Sequence, residues 1–190
     1  MNTAASFIAL NIVFLITCIP IITIGSALSA LYEVSMKEAR GEYGYLIKPY
    51  FKCLKENLLS GSLAFCFYAI LLLFLGFGIV FWQNLDTSFS YAAVAISCVL
   101  ALVVLIAAIY TFPLIARFEN PILRTIKNAF CITLGSLKYS FLFLLLHLFE
   151  FSLVYLFSGV RIFMLLIGFS FFAYCNAFLF NHFFKRFYAC

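Results

Sequence analysis

The sequence predicts an all-α fold, a polytopic transmembrane helix bundle of about five spans with amphipathic interfacial helices on the cytoplasmic side. Three observations carry this. Of the 190 residues, 66% are hydrophobic and only 10% charged, against about half and about a quarter in a soluble domain. Apolar stretches of spanning length recur along the chain, and a crossing needs about 20 such residues. The basic residues gather in alternate connections, as the positive-inside rule requires.

A soluble domain of this size hides only about 70% of its unfolded surface, so with a mean hydropathy of +1.15 lipid must cover the remainder. Twenty-six Phe, 11 Tyr and one Trp suit hydrocarbon and its interfaces. The net charge of +5 reflects loop residues that set topology and attract anionic lipid; it does not indicate nucleic acid. The seven cysteines form no CxxC pair and no metal spacing. They read as small buried hydrophobes, and their odd number argues against a disulfide framework.

Residues 4–32 carry no charge, too long for one straight span and too short for two. Pro20, lacking an N–H and clashing with the preceding turn, divides them. The first span is expected at about 4–19, at most to 24. Its start lacks a basic n-region and is too long for an h-region, so it is expected to be retained rather than cleaved. A second helix begins near Thr23, whose hydroxyl is placed to cap it, with Ile24, Leu28, Leu31 and Val34 on one face. Glu33 and Lys37 form a favourable i,i+4 pair, and Gly41 after Arg40 is a helix stop. Pro49 suits the start of a short amphipathic helix with Lys48, Lys52, Lys55 and Glu56 on its wet side. The remaining spans are expected at about 58–82, 89–116 (Pro113 near its end, bending the chain with Arg117), 139–157 and 162–180. Between the third and fourth, 117–138 reads as an interfacial helix starting near Pro121.

Segments 33–57 and 117–138 and the tail together hold eleven of the Lys and Arg residues, and the opposite side holds one, Arg161. Five spans then place the N-terminus outside and the C-terminus in the cytoplasm. A weak internal repeat pairs Lys55-Glu56-Asn57 and Gly61-Ser62-Leu63 with Lys127-Asn128-Ala129 and Gly135-Ser136-Leu137, and similar amphipathic approaches to lipid explain it equally well.

Ionisable groups inside a membrane are costly and are candidates for function. His147 and Glu150 share one face of the fourth span at i,i+3 spacing, suggesting a proton relay or cation site, or else a Glu150 that pairs with Arg161 or snorkels to water. Asn11, Asn176 and Asn181 are placed to hydrogen-bond between helices. Ser60, Gly61, Ser62, Ala64, Gly76 and Gly78 offer small surfaces for helix contact, including self-association into a homo-oligomer. No nucleophile elbow, phosphate loop, zinc-protease motif or dinucleotide fingerprint occurs, so no cofactor or metal is expected and an enzyme is unsupported; a membrane-embedded enzyme ranks third, after an accessory scaffold and a small oligomeric transporter or channel.

The run Asn11–Leu15, Pro20–Gly25 and Ala30-Leu31-Tyr32 continues through Lys37, Arg40-Gly41-Glu42, Tyr45, Phe51-Lys52 and Lys55-Glu56-Asn57. With Phe112–Phe118 and Lys127-Asn128-Ala129, it resembles the YesL-like family of bacterial integral membrane proteins, a domain of unknown function. Members often accompany sugar-uptake ABC transporters and carbohydrate-degrading enzymes. The resemblance therefore implies a bacterial cytoplasmic membrane and an association with carbohydrate transport; the elaborated basic segments, set against minimal outer loops, add the expectation of an accessory or scaffold protein with an ABC permease or cytosolic regulator as partner. It supplies no catalytic residues. The matched positions Pro20, Thr23, Gly25, Lys37, Arg40, Lys52, Lys55, Asn57, Pro113, Arg117, Lys127 and Asn128 suggest two bends and two basic helices lying side by side beneath the bundle as a docking surface.

Overall fold

The computed structural model describes residues 3–42, 44–85 and 88–188, and among these there is no strand. Helices α1 (Thr3–Thr17), α2 (Ile24–Ala39), α3 (Ile47–Glu56), α4 (Leu58–Gln83) and α5 (Ser88–Arg117) are followed by α6 (Ile122–Gly135), α7 (Leu137–Leu156), α8 (Ser158–Phe163) and α9 (Phe169–Tyr188). A 3₁₀ turn at Ile21–Thr23 precedes α2, and a π-helical turn at Met164–Gly168 joins α8 to α9. Four stretches are long and apolar enough to cross a membrane: α4, α5, α7 and the continuous rod from α8 to α9. Within their apolar windows only 11–28% of residues are buried inside the chain, so their outward faces need lipid. The 26 residues of α4 extend about 39 Å, enough for a hydrocarbon core of about 30 Å. The 15 residues of α1 extend only about 22 Å. The expected five spans are thus four of full length and one short apolar helix.

The break at Pro20 falls where expected, but Thr23 acts differently. Its hydroxyl makes no cap bond to α2. It donates backwards, to the carbonyls of Thr17 at 2.6 Å and Pro20 at 2.7 Å, and so closes the end of α1. The reason is local: the 3₁₀ turn leaves Thr23 with helical φ and ψ, whereas a capping side chain needs an extended backbone.

The larger correction concerns α2. Expected between Thr23 and Gly41, with its residues from 33 on counted to the cytoplasmic side, it keeps those bounds but is the most enclosed helix of the bundle, packed against α3, α4, α5 and α9. Leu31 and Val34 are buried as the apolar face implies, while Ile24 and Leu28 are only half-buried. Small residues decide the packing. Gly25, Ser26, Ala27, Ser29 and Ala30 are all buried, and at the crossing with α4 a Cβ on Gly25 would overlap the Gly61 carbonyl. Small residues allow such close backbone approach between membrane helices, but a hydropathy pattern does not register them. After Ala39 the chain turns through Gly41, at φ 81°. The amide of Glu42 bonds the Lys37 carbonyl and that of Gly41 the Glu38 carbonyl, the paired bonds of a Schellman stop.

Pro113 does not end α5. It is buried inside a helix that runs on to Arg117. Membrane helices tolerate an internal proline where surrounding groups can take up the freed carbonyl. The bend comes instead at 118–121, before α6. The two amphipathic helices are also not side by side: α3 rests on α2, α6 rests on α5, and α3 and α6 share no extended interface. The paired sequence motifs are not equivalent either. Gly61 lies in the α2–α4 crossing, four residues after the Asn57 junction, whereas Gly135 ends α6 in open space.

An aromatic cluster joins α5, α7 and α9. Phe143 stacks on Phe180 at 4.2 Å between centroids, and Tyr110 meets Phe143 at 5.4 Å and Phe183 at 5.6 Å. Each such pair adds about 0.5–1.5 kcal/mol beyond area burial.

Candidate functional site

Two groups of polar residues stand out, one inside the apolar bundle and one at the end where α2, α4, α5 and α9 meet. Inside, the buried Asn176 donates to Glu150 Oε1 at 3.0 Å. His147 Nδ1 bonds only the Phe143 carbonyl one turn back, at 2.9 Å. Arg161 does not reach Glu150. Its guanidinium donates to the Val154 and Tyr155 carbonyls and so satisfies the C-terminal end of α7. Glu150 is therefore tied to the bundle interior by an amide and has no cationic partner within ion-pair distance among the described residues.

Asn11 is fully buried on α1 and serves the π-turn. Its amide nitrogen donates to the carbonyls of Met164 at 3.1 Å and Leu165 at 2.9 Å, and its oxygen accepts from the Ser170 amide at 3.1 Å. A π-turn displaces backbone groups from the regular helical ladder, and here one side chain takes up three of them.

At the other end a cavity of about 930 Å³ opens between α2, the α3–α4 junction and the segment from the end of α5 to the start of α6. Four of the residues singled out from sequence, Lys37, Arg40, Asn57 and Arg117, line it, together with Glu33, Glu56, Ser60 and Glu119. Lys37 is paired with Glu33, one helical turn away. Arg40 Nε donates to Glu42 at 2.6 Å. This bond holds the Glu42 carboxyl below the usual carboxylate range. Asn181 is the organising residue. Its buried amide donates to the Met36 carbonyl at 2.9 Å, and its oxygen receives both the Arg40 guanidinium at 3.4 Å and the Arg117 guanidinium at 3.3 Å. Arg117 also lies over the Phe184 ring at 5.7 Å. The buried Cys53 accepts from the amide of the lining residue Asn57 at 3.3 Å. Burial pushes its thiol well above the ordinary range, so it is not a poised nucleophile.

The other sequence candidates lie elsewhere. Lys52, Lys55 and Lys127 are exposed on α3 and α6, Asn128 is half-buried on α6, Pro20 is exposed at the first break, and Gly25 and Pro113 are internal to the bundle. The sequence reading did not connect Asn181, Glu33 or Glu119 with this site. Asn181 lies 64 positions from Arg117, and no local spacing joins them. The described residues contain no group of three or more His, Cys, Asp or Glu able to hold a metal ion. Cys190 lies outside the described residues.

The fold is that of an all-helical, multi-pass membrane protein. A family model described as "Protein of unknown function, DUF624" matches residues 7–79. That stretch runs from α1 into α4 and includes Asn11, Gly25, Lys37, Arg40 and Asn57; it covers less than half of the chain. Comparisons with curated proteins and with solved structures gave no match.

Proposed function

We propose that this chain is a YesL-like protein of the bacterial cytoplasmic membrane, with its N-terminus outside and its C-terminus inside. In this reading it acts without enzymatic activity as an accessory or scaffold for a carbohydrate ABC transporter, binding the permease or a cytosolic regulator. The observation that carries the reading is the cavity framed by Lys37, Arg40, Asn57 and Arg117 at the chain's basic end. It is flanked by α3 and α6, whose Lys52, Lys55 and Lys127 are exposed to solvent. The connection at the opposite end between α4 and α5 is short and carries no Lys or Arg. A contact surface for a partner accounts for elaboration at one end only.

Gentle detergent extraction of the tagged protein from its own cells, followed by mass spectrometry, tests this. A permease or cytosolic regulator should be recovered in stoichiometric amount and lost when Lys52, Lys55 and Lys127 are changed together to Glu. Recovery of this chain alone would sink the reading. The partly buried Glu150–Asn176 bond favours a second reading, a small oligomeric transporter or channel. Under that reading Glu150→Gln abolishes flux in liposomes; under the scaffold reading it leaves partner recovery intact.

A further inference from the structure

We propose that Arg40 and Arg117 form a binding site for a phosphate group, presented either by an anionic phospholipid headgroup or by a small water-soluble phosphate. Two guanidiniums, from the ends of α2 and α5, converge on one neutral oxygen, Asn181 Oδ1. Their distances of 3.4 and 3.3 Å lie beyond the usual range for N–H···O bonds. Like charges repel, and a single shared amide oxygen is a poor acceptor for two forks of five donors each. Glu42 balances Arg40. Arg117 is half-buried, and among the described residues no carboxylate lies within ion-pair distance of it. Its remaining contact is a ring face, which leaves most of its donors unspent beside a cavity of about 930 Å³.

The cavity's carboxylates do not remove this excess. Glu33 is engaged by Lys37, Glu56 faces Lys52 at 3.9 Å, and Glu119 is exposed to solvent, where water screens it. The cavity also meets the start of α6 at Ile122. That helix has no capping side chain and no acidic residue in its first turn, so its dipole adds to the same preference for an anion. A planar guanidinium fork matches phosphate oxygens in a way that a point charge does not, and basic pockets between membrane helices are recognised headgroup sites.

The test uses the purified full chain in a neutral detergent. It is titrated separately with phosphatidylglycerol in mixed micelles and with inorganic phosphate, reading the thermal midpoint and, by native mass spectrometry, bound lipid. The wild-type chain should show saturable stabilisation. Saturation with phosphatidylglycerol alone assigns the phosphate to lipid, and saturation with inorganic phosphate assigns it to a soluble ligand. Arg117→Gln should weaken binding by about tenfold, the loss expected for one charge-assisted hydrogen bond, while Lys127→Gln, which removes an exposed charge on α6, should leave it unchanged. If Arg117→Gln does not yield folded protein, Arg117→Lys keeps the charge and should still lose affinity with the fork. Absence of saturable binding to either probe, or equal loss in Lys127→Gln, overturns the proposal. No partner protein enters the experiment, so its outcome is independent of the scaffold reading.

Discussion

Asn11, Asn181 and the Arg40–Glu42 pair show how single polar side chains act in an otherwise apolar chain. Asn11→Ala leaves two carbonyls and one amide of the π-turn without their partner. An unmade buried hydrogen bond costs about 1–3 kcal/mol, so the variant should unfold at lower temperature in detergent and its α1 should become accessible to protease. An unchanged midpoint would show that lipid or water takes over the bonds. The Arg40–Glu42 bond is exposed and contributes little to stability, but its charge effect has a definite sign. The folded Glu42 carboxyl lies below its ordinary value of 4.5 because Arg40 donates to it. The attraction is therefore complete above about 4.5 and is lost as pH falls through the lowered folded value. A carbon NMR titration of Glu42 should give a midpoint below 4.5 in the wild type, moving back up in Arg40→Gln; identical midpoints would refute the pairing.

At the scale of the element, the long helices and the bounds of α2 are legible in the sequence, but the central position of α2 is not. The ends of α4, α5 and α7 fall within a few residues of the expected spans because hydropathy and flanking charge report directly on burial in lipid. What places α2 at the centre is backbone proximity at Gly25 and Gly61, which depends on two glycines 36 positions apart with no charge or period to link them. The same limit applies to the cavity. Its lysine and arginines are visible as loop charges, but their convergence on Asn181 is a tertiary fact. Pro113 lies inside the span as expected, and only the bend assigned to it is displaced, to the residues after Arg117. The crossing gives a sharp expectation. Gly25→Ala and Gly61→Ala each place a methyl against backbone that has no rotamer to move. Overpacking costs about 1–3 kcal/mol, and rigid contacts favour the upper end, whereas Gly76→Ala, with nothing nearby, should be neutral. Thermal midpoints of the three purified variants decide whether α2 is held by this contact.

At the scale of the whole molecule, segments 33–57 and 117–138 and the tail, at the cavity end, hold eleven of the Lys and Arg residues. The α4–α5 turn at the other end has no basic residue, and the α7–α8 connection there is followed only by Arg161. Four full-length helices return the chain to its starting side, so the side occupied by α3 and α6 also receives the end of α9. The proposed orientation of that common side rests on charge: the reverse would carry eleven Lys and Arg residues outward to retain one, against the strong bias for basic loops to remain inside. Single-cysteine variants make this measurable. Cys131 is exposed on α6, and Asn84 is exposed at the end of α4. With a membrane-impermeant maleimide, an Asn84→Cys variant lacking the native cysteines should label in intact cells, while a variant retaining only Cys131 should label after permeabilisation alone. Reversed labelling would place the cavity, with Arg40 and Arg117, outside the cell, where no cytosolic regulator could reach it. Labelling of both in intact cells would mean that the chain inserts in two orientations. Labelling as expected puts the cavity on the side where both a cytosolic partner and the anionic inner leaflet are available to it.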